Sequence, residues 1–139
     1  MIRAVLDPNV IIAAALSSGG SPALVLRRWL SGDFEVMASP ELLAELRRAL
    51  GYSKIRKRIP PEDADELIEL LSTAATMADV GDQPPSARSA DPGDDYLIQL
   101  GAATGAVIVS GDRHLLDLRE KIPVFNPAEF LSFLAEALR

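Results

Sequence analysis

Short apolar runs alternate along this chain with longer stretches in which apolar residues recur every three or four positions. The first run, with Ile2, Ala4, Val5 and Leu6, reads as a short strand of the kind buried in a parallel sheet. It stops at Asp7-Pro8-Asn9. Aspartate is a favoured helix N-cap and proline a favoured first helical residue, so a helix is predicted over Val10 to Leu16. Ser17 to Ser21 is a loop, and Ser21 before Pro22 opens a second helix that runs to about Leu30 and ends near Gly32. Phe34 to Ala38 is the second strand. Ser39-Pro40 repeats the cap-and-proline start, and the helix it opens runs to Leu50, before Gly51. Tyr52 to Arg58 reads as helical, and Pro60-Pro61 restarts the chain into a long helix from Glu62 to about Ala75. Met77 to Val80 is a third strand, and Gly81 to Gly93, rich in Pro, Ser and Asp, is a loop. Asp94 to Thr104 is helical and stopped by Gly105. Ala106 to Ser110 is the clearest strand in the chain, followed by Gly111-Asp112 and a short helix over Arg113 to Leu118. Val124-Phe125 reads as an edge strand and Pro127 to Leu138 as a closing helix.

Strands alternating with helices imply βαβ units, right-handed crossovers and a mostly parallel sheet covered on both faces, an α/β fold. A chain of 139 residues fits one domain spanning 1–139. With 48% hydrophobic and only 5% aromatic residues, the core is built from Ala, Val, Leu and Ile. There is no cysteine, which excludes disulfides and thiolate metal sites and suits a reducing, cytoplasmic setting. The single histidine, His114, excludes a multi-histidine metal centre, so a bound metal would take carboxylate oxygens, the preference of Mg²⁺ or Mn²⁺. No basic region followed by a long apolar stretch marks a signal peptide, and no run has the length of a membrane span. The net charge of −6 argues against a general nucleic-acid coat, yet it is unevenly spread: Arg47, Arg48, Lys54, Arg56, Lys57 and Arg58 fall within a dozen positions.

Four acids stand where elements begin or end. Asp7 follows the first strand, at the edge where open α/β sheets bind ligands; it also serves as a helix cap. Glu45 lies on the flank of the stripe formed by Leu42, Leu43, Leu46 and Leu50, where it can lean over the sheet edge or pair in solvent with Arg47 or Arg48. Asp94 shares a helix face with Leu97, Ile98 and Gly101, which should pack on the sheet, while Asp95 points about a quarter-turn further round. Both acids also suit the positive end of a helix dipole. Asp112 follows the strand ending at Ser110 by one glycine and can cap the next helix; His114 reads as a surface or capping residue. Carboxylates gathered at one edge repel, and burying them uncompensated costs several kcal/mol by order of magnitude. A divalent cation removes that objection, and the chemistry such a site serves is phosphoryl transfer.

With these residues in place the sequence resembles a PIN domain, and within that family the VapC-like ribonuclease toxins of bacterial toxin–antitoxin pairs. The matching stretches are Val5-Leu-Asp-Pro-Asn-Val-Ile-Ile12, Ser39-Pro-Glu-Leu-Leu-Ala-Glu-Leu46, Asp91-Pro-Gly-Asp-Asp-Tyr-Leu-Ile98 and Val107-Ile-Val-Ser-Gly-Asp-Arg-His-Leu-Leu116, in family order. The resemblance implies a three-layer α/β/α sandwich on a mostly parallel sheet of about five strands. It also implies metal-dependent endonuclease activity on single-stranded RNA, with 5′-phosphate and 3′-hydroxyl products. The family's acids carry over onto Asp7, Glu45, Asp94 and Asp112 as the catalytic, metal-holding set, with Mg²⁺ or Mn²⁺ as the ion. Asn9 and Ser110 match its supporting polar residues, and Asp95 is placed to share the work of Asp94. Pro8 departs from the pattern, standing where a small hydroxyl residue is common. A cognate antitoxin and a homodimer are the implied partners, with Phe130 to Leu138 offering apolar surface to the dimer.

The basic residues Arg47, Arg48, Lys54, Arg56, Lys57 and Arg58 suit an RNA backbone, an acidic antitoxin segment or plain solvation of a helical face. Two other enzyme classes fit less well. Haloacid-dehalogenase phosphatases require a second Asp two positions after the first, where this chain has Asn9. Receiver domains require an acid after the third strand, for which Asp79 or Asp82 would serve, and a lysine after the last, where none follows Ser110 closely. A PIN-like module that only binds RNA or protein is the non-enzymatic alternative.

Overall fold

The apolar runs satisfy their backbone hydrogen bonds by lying side by side. In the computed structural model, which describes residues 1–81, 84, 85 and 87–139, five strands form one sheet. They are β1 (Arg3–Leu6), β2 (Glu35–Ala38), β3 (Thr76–Met77), β4 (Val107–Val109) and β5 (Val124–Phe125), in the order β3-β2-β1-β4-β5. Every pairing is parallel. The helices are α1 (Pro8–Leu16), α2 (Ser21–Leu30), α3 (Pro40–Leu50), α4 (Ser53–Arg56), α5 (Pro61–Ala74), α6 (Asp95–Thr104), α7 (Arg113–Leu116) and α8 (Pro127–Ala137). A 3₁₀ turn, Pro92–Asp94, leads into α6.

Because side chains alternate across a strand, the sheet feeds two cores. Ala4, Leu6, Val36, Ala38 and Val109 pack with α1, α2, α5 and α8, including an edge-to-face contact of Phe34 on Phe130 at 4.9 Å. Val5, Met37, Ile108 and Val124 face the other way, onto Leu97, Ile98 and Leu100 of α6 and Leu115 of α7. Helices therefore cover both faces, and the result is the three-layer α/β arrangement with a five-stranded sheet anticipated above. Phe130 and Leu134 are fully buried in this chain's own core, so the apolar spacing of α8 is already explained within one molecule.

The start signals in the sequence act as read. The Ser39 side chain accepts from the Leu42 amide at 3.1 Å. At the head of α8 the structure adds a reciprocal capping box of Asn126 and Glu129, which the sequence reading did not single out. Gly105 ends α6 at φ 69°, a left-handed conformation that favours glycine.

Two elements differ from the expectation. β3 covers Thr76–Met77 rather than Met77 to Val80, because its partner β2 ends at Ala38, just before the Ser39-Pro40 helix start, and pairing stops with the Ala78 amide on the Ala38 carbonyl. The basic segment forms only one helical turn, α4, followed by turns through Ile59, rather than a helix from Tyr52 to Arg58. The predicted loop over Gly81 to Gly93 includes residues 82, 83 and 86, and Asp82 thus lies outside the described residues. No single helix among the described residues is long and apolar enough to cross a membrane.

Candidate metal centre

The order of the strands decides where ligands can gather. From β1 the chain moves outward through β2 to β3, then returns to the other side of β1 as β4 and β5. The break in direction lies between β1 and β4, and in open α/β sheets the crevice beyond the carboxyl ends of those strands binds ligands. Asp7 is the first residue past β1, and its amide donates to the Val109 carbonyl at 3.0 Å. Ser110 is the first residue past β4.

Ser110, wholly buried, fastens the two strand ends together. Its hydroxyl donates to Asp7 Oδ2 at 2.7 Å and accepts from the Asp112 amide at 3.0 Å. Asp7 Oδ1 accepts the Asn9 amide at 3.0 Å, capping α1. The capping and pocket readings of Asp7 therefore both hold, one on each oxygen. Burial pushes the Asp7 carboxyl above its ordinary range, with the charge of Asp112 adding to the rise, against the opposing hydrogen bonds from Asn9 and Ser110.

Asp112 likewise caps α7 through Oδ1, which accepts the His114 amide at 2.9 Å. His114 Nδ1 stands 3.7 Å from the same oxygen. Asp94 differs from both. It precedes α6 without using its side chain as a cap, and its Oδ2 is buried with no hydrogen-bond donor among the described residues. Desolvation, then the adjacent carboxyl of Asp112, then the charges of Asp112, Asp7 and Asp91 push Asp94 up to about 7. Desolvation also opposes charge on Asp112, but a hydrogen bond from protonated Asp94 and the bond from the His114 amide bring Asp112 below the ordinary carboxylate range. Two carboxyls this close disfavour ionising together, and the more deeply buried Asp94 is the one whose charged form is opposed.

Glu45 completes the set from α3. It lines a cleft of about 270 Å³ together with Asp7, Asn9, Asp91, Asp94 and Tyr96. Its Oε2 accepts from Arg48 at 2.6 Å, so the solvent-side pairing and the lean over the sheet edge also coexist. The Tyr96 phenol registers the local field: burial first, then the charges of Asp7, Glu45 and Asp94, hold it far above its ordinary range.

Asp95 goes elsewhere. Its buried carboxylate accepts the Ser89 amide at 3.1 Å and pairs with Arg88 at 3.2 Å, so it pins the incoming loop instead of sharing the work of Asp94. The 3₁₀ turn before α6 separates the directions of these consecutive acids. Of the basic residues, Arg48 reaches the cleft and also donates to the Tyr52 hydroxyl at 2.6 Å. Arg58 donates to the Leu16 carbonyl at 3.3 Å, and Arg47, Lys54, Arg56 and Lys57 are exposed.

Asp91, Tyr96 and the coordinating potential of His114 are not evident from the sequence reading. Asp91, Asp94 and His114 present ligand atoms within 4.8 Å of one another. The available signal was Asp91 opening the Asp91-Pro-Gly-Asp-Asp stretch; nothing in the spacing marks Tyr96, which faces the cleft only because α6 lies against β1 and β2. An oxygen-rich cluster with a buried, donorless carboxylate oxygen fits a hard divalent cation.

Comparison with known proteins agrees with this architecture. Residues 3–114 match the family model for the PIN domain. An uncharacterised protein of Methanocaldococcus jannaschii is 24% identical over 121 residues, covering 86% of this chain and 77% of that protein. Among solved structures, VapBC2 from Rickettsia felis, bound to a DNA fragment from its promoter, matches with a TM-score of 0.62 at 15% identity, covering 90% of this chain and 98% of that one. FitAcB from Neisseria gonorrhoeae matches with a TM-score of 0.55 at 18% identity, covering 90% and 98%. A match over most of the chain, including all four acid-bearing segments, together with the shared sheet, makes this protein a member of the PIN domain family.

Proposed function

We infer that this chain is a metal-dependent endoribonuclease acting on single-stranded RNA, and that it is the toxin of a toxin–antitoxin pair. The observation that carries the reading is the convergence of Asp7, Asp94 and Asp112 beyond the ends of β1 and β4, with an oxygen of Asp94 buried and lacking a donor. Asp7, Asp94 and Asp112, with Glu45 at the rim, would hold Mg²⁺ or Mn²⁺. Such an ion, when bound, supplies charge stabilisation at a phosphoryl oxygen and acidifies water.

The chain's own groups do the positioning. Ser110 holds the Asp7 carboxylate and the Asp112 backbone in fixed relation, so neither acid needs to reorganise when a cation arrives. Arg48, between Glu45 and Tyr52 at the mouth of the cleft, is placed to meet a phosphate, and the exposed Lys54, Arg56 and Lys57 continue a positive path for the strand. The likeness to the VapBC2 structure supports a protein partner for this chain, an antitoxin, and its own homodimer is the assembly that the family resemblance favours.

The test is an assay of the purified protein on single-stranded RNA with Mn²⁺ and an EDTA control. EDTA should abolish cleavage. Asp7→Asn, which keeps the size of the side chain, should lower the rate by about two orders of magnitude or more with an unchanged circular dichroism spectrum. Cleavage by the variant at the native rate refutes the assignment. Binding of RNA without any cleavage by the native protein would instead support a PIN-like binding module, the alternative that Pro8 leaves open.

A further inference from the structure

Two depressions open beside the acid cluster. On one side is the cleft already described. On the other is a larger groove of about 640 Å³, a volume typical of small-molecule sites. The two are continuous: Asn9 lines both, and Asp112, whose carboxyl meets that of Asp94, lines the groove. A polymer cut at the acids can extend into one depression on each side of the scissile phosphate.

The groove is chemically unlike the basic side. No lysine or arginine lines it. Its walls are apolar, from Val10 and Ala13 of α1, Pro22 of α2 and Ala128 of α8. Three neutral polar groups line it without a hydrogen-bond partner among the described residues: the Asn9 amide side chain, the Ser21 hydroxyl and the Nδ2 of Asn126, whose Oδ1 is occupied by its cap. Such a site offers a phosphate no cationic side chain and suits a flat neutral heterocycle with donors and acceptors on its edge. Single-stranded RNA is read in this way, by splaying out a base, covering its face with side chains and hydrogen-bonding its edge.

We propose that this groove receives one unstacked nucleobase of the RNA strand next to the cut phosphate, and that Ser21 and Asn126 read its edge and so set the cleavage preference. The proposal rests on the endoribonuclease reading. Its test uses the full chain with Mn²⁺ on a short single-stranded RNA in which each nucleotide near the cut is replaced in turn by an abasic ribose. At one flanking position, loss of the base, and with it the apolar burial and the edge hydrogen bonds, should raise KM by about tenfold. Ala128→Trp, at an exposed site on α8, fills the groove and should remove that position's dependence, leaving an abasic effect of no more than about twofold. Ser21→Ala should flatten the preference among the four bases at the same position, read as the ratios of kcat/KM between them.

Equal tolerance of abasic sites at every flanking position overturns the proposal, as does an undiminished abasic penalty in Ala128→Trp or an undiminished base preference in Ser21→Ala. Intact RNA with the native chain under all conditions overturns the nuclease reading itself, and the base site with it. Cleavage that proceeds without base dependence overturns the base site alone.

Discussion

Asp94 is the residue whose environment most directly predicts a measurable property. Its carboxyl, ordinarily near 3.8, is held up to about 7 by burial and by Asp112, Asp7 and Asp91. Between those values the folded chain retains a proton that the unfolded chain has released, so the unfolded state binds fewer protons and stability falls as pH rises. Asp7, also raised, acts in the same sense; Asp112, lowered, gains stability as pH rises, but at and below the ordinary carboxylate range. The metal-free protein should therefore lose thermal stability from about pH 4 to about pH 7, and Asp94→Asn should flatten much of that fall. Mn²⁺ added above that window should raise the melting temperature of the native protein and do so weakly in the variant. Scanning calorimetry across pH checks both, and a flat profile for the metal-free native chain would show that the acids do not converge as described.

At the scale of elements, the site depends on how closely α6 lies on the sheet. Gly101 is the contact point: a methyl group there would come within 3.2 Å of Ile108 Cγ1 and 3.3 Å of the Ala106 carbonyl oxygen. Gly101→Ala requires the Ile108 side chain and the Ala106 backbone to give by a few tenths of an ångström; with a backbone carbonyl among the neighbours, an overpacking cost of about 1–3 kcal/mol is expected to outweigh the helix propensity gained from alanine, about 1 kcal/mol at most. Because Asp94 heads α6, the displacement should also weaken Mn²⁺ affinity. A melting temperature lowered by several degrees together with weaker Mn²⁺ binding is the expected pair of results; native values for both would show that the helix has room to spare. Asp95 works at this same scale. By holding Ser89 and Arg88 it fixes the path by which the chain enters the 3₁₀ turn, and so the direction in which Asp94 points.

Across the whole molecule, the net charge of −6 conceals a separation of sign. Acids collect beyond β1 and β4, while Lys54, Arg56 and Lys57 project into solvent around α4, and Arg48 stands between the two regions. Replacing Lys54, Arg56 and Lys57 together with glutamine should weaken RNA binding about tenfold or more at low salt. It should also reduce the slope of log affinity against log salt by about 2, since each phosphate contact on a single strand contributes about 0.7. The melting temperature should barely move, because exposed changes of this kind typically lie within about 0.5 kcal/mol. An unchanged salt slope would assign that surface to a protein partner or to solvent.

The sequence alone determined what local physics controls. The first, second and fourth apolar runs, the Asp7-Pro8 and Ser39-Pro40 starts and the stop at Gly105 are decided by residues a few positions apart, and the elements they mark are found where expected. The acids at the ends of β1 and β4 were legible for the same reason, since a residue following a parallel strand is bound for the ligand edge of the sheet. Only the tertiary structure decided which of the consecutive acids Asp94 and Asp95 faces that edge, that β3 stops after Met77, and that Tyr96 and Asp91 join the cleft. Those outcomes depend on how the folded chain places its parts: where β2 runs out as a partner, how Ser89 and Arg88 capture one carboxylate, and how Ser110, 103 positions from Asp7 in the sequence, ties Asp7 to the backbone of Asp112. Spacing along a sequence encodes direction within an element, and it carries no record of what the fold will set opposite.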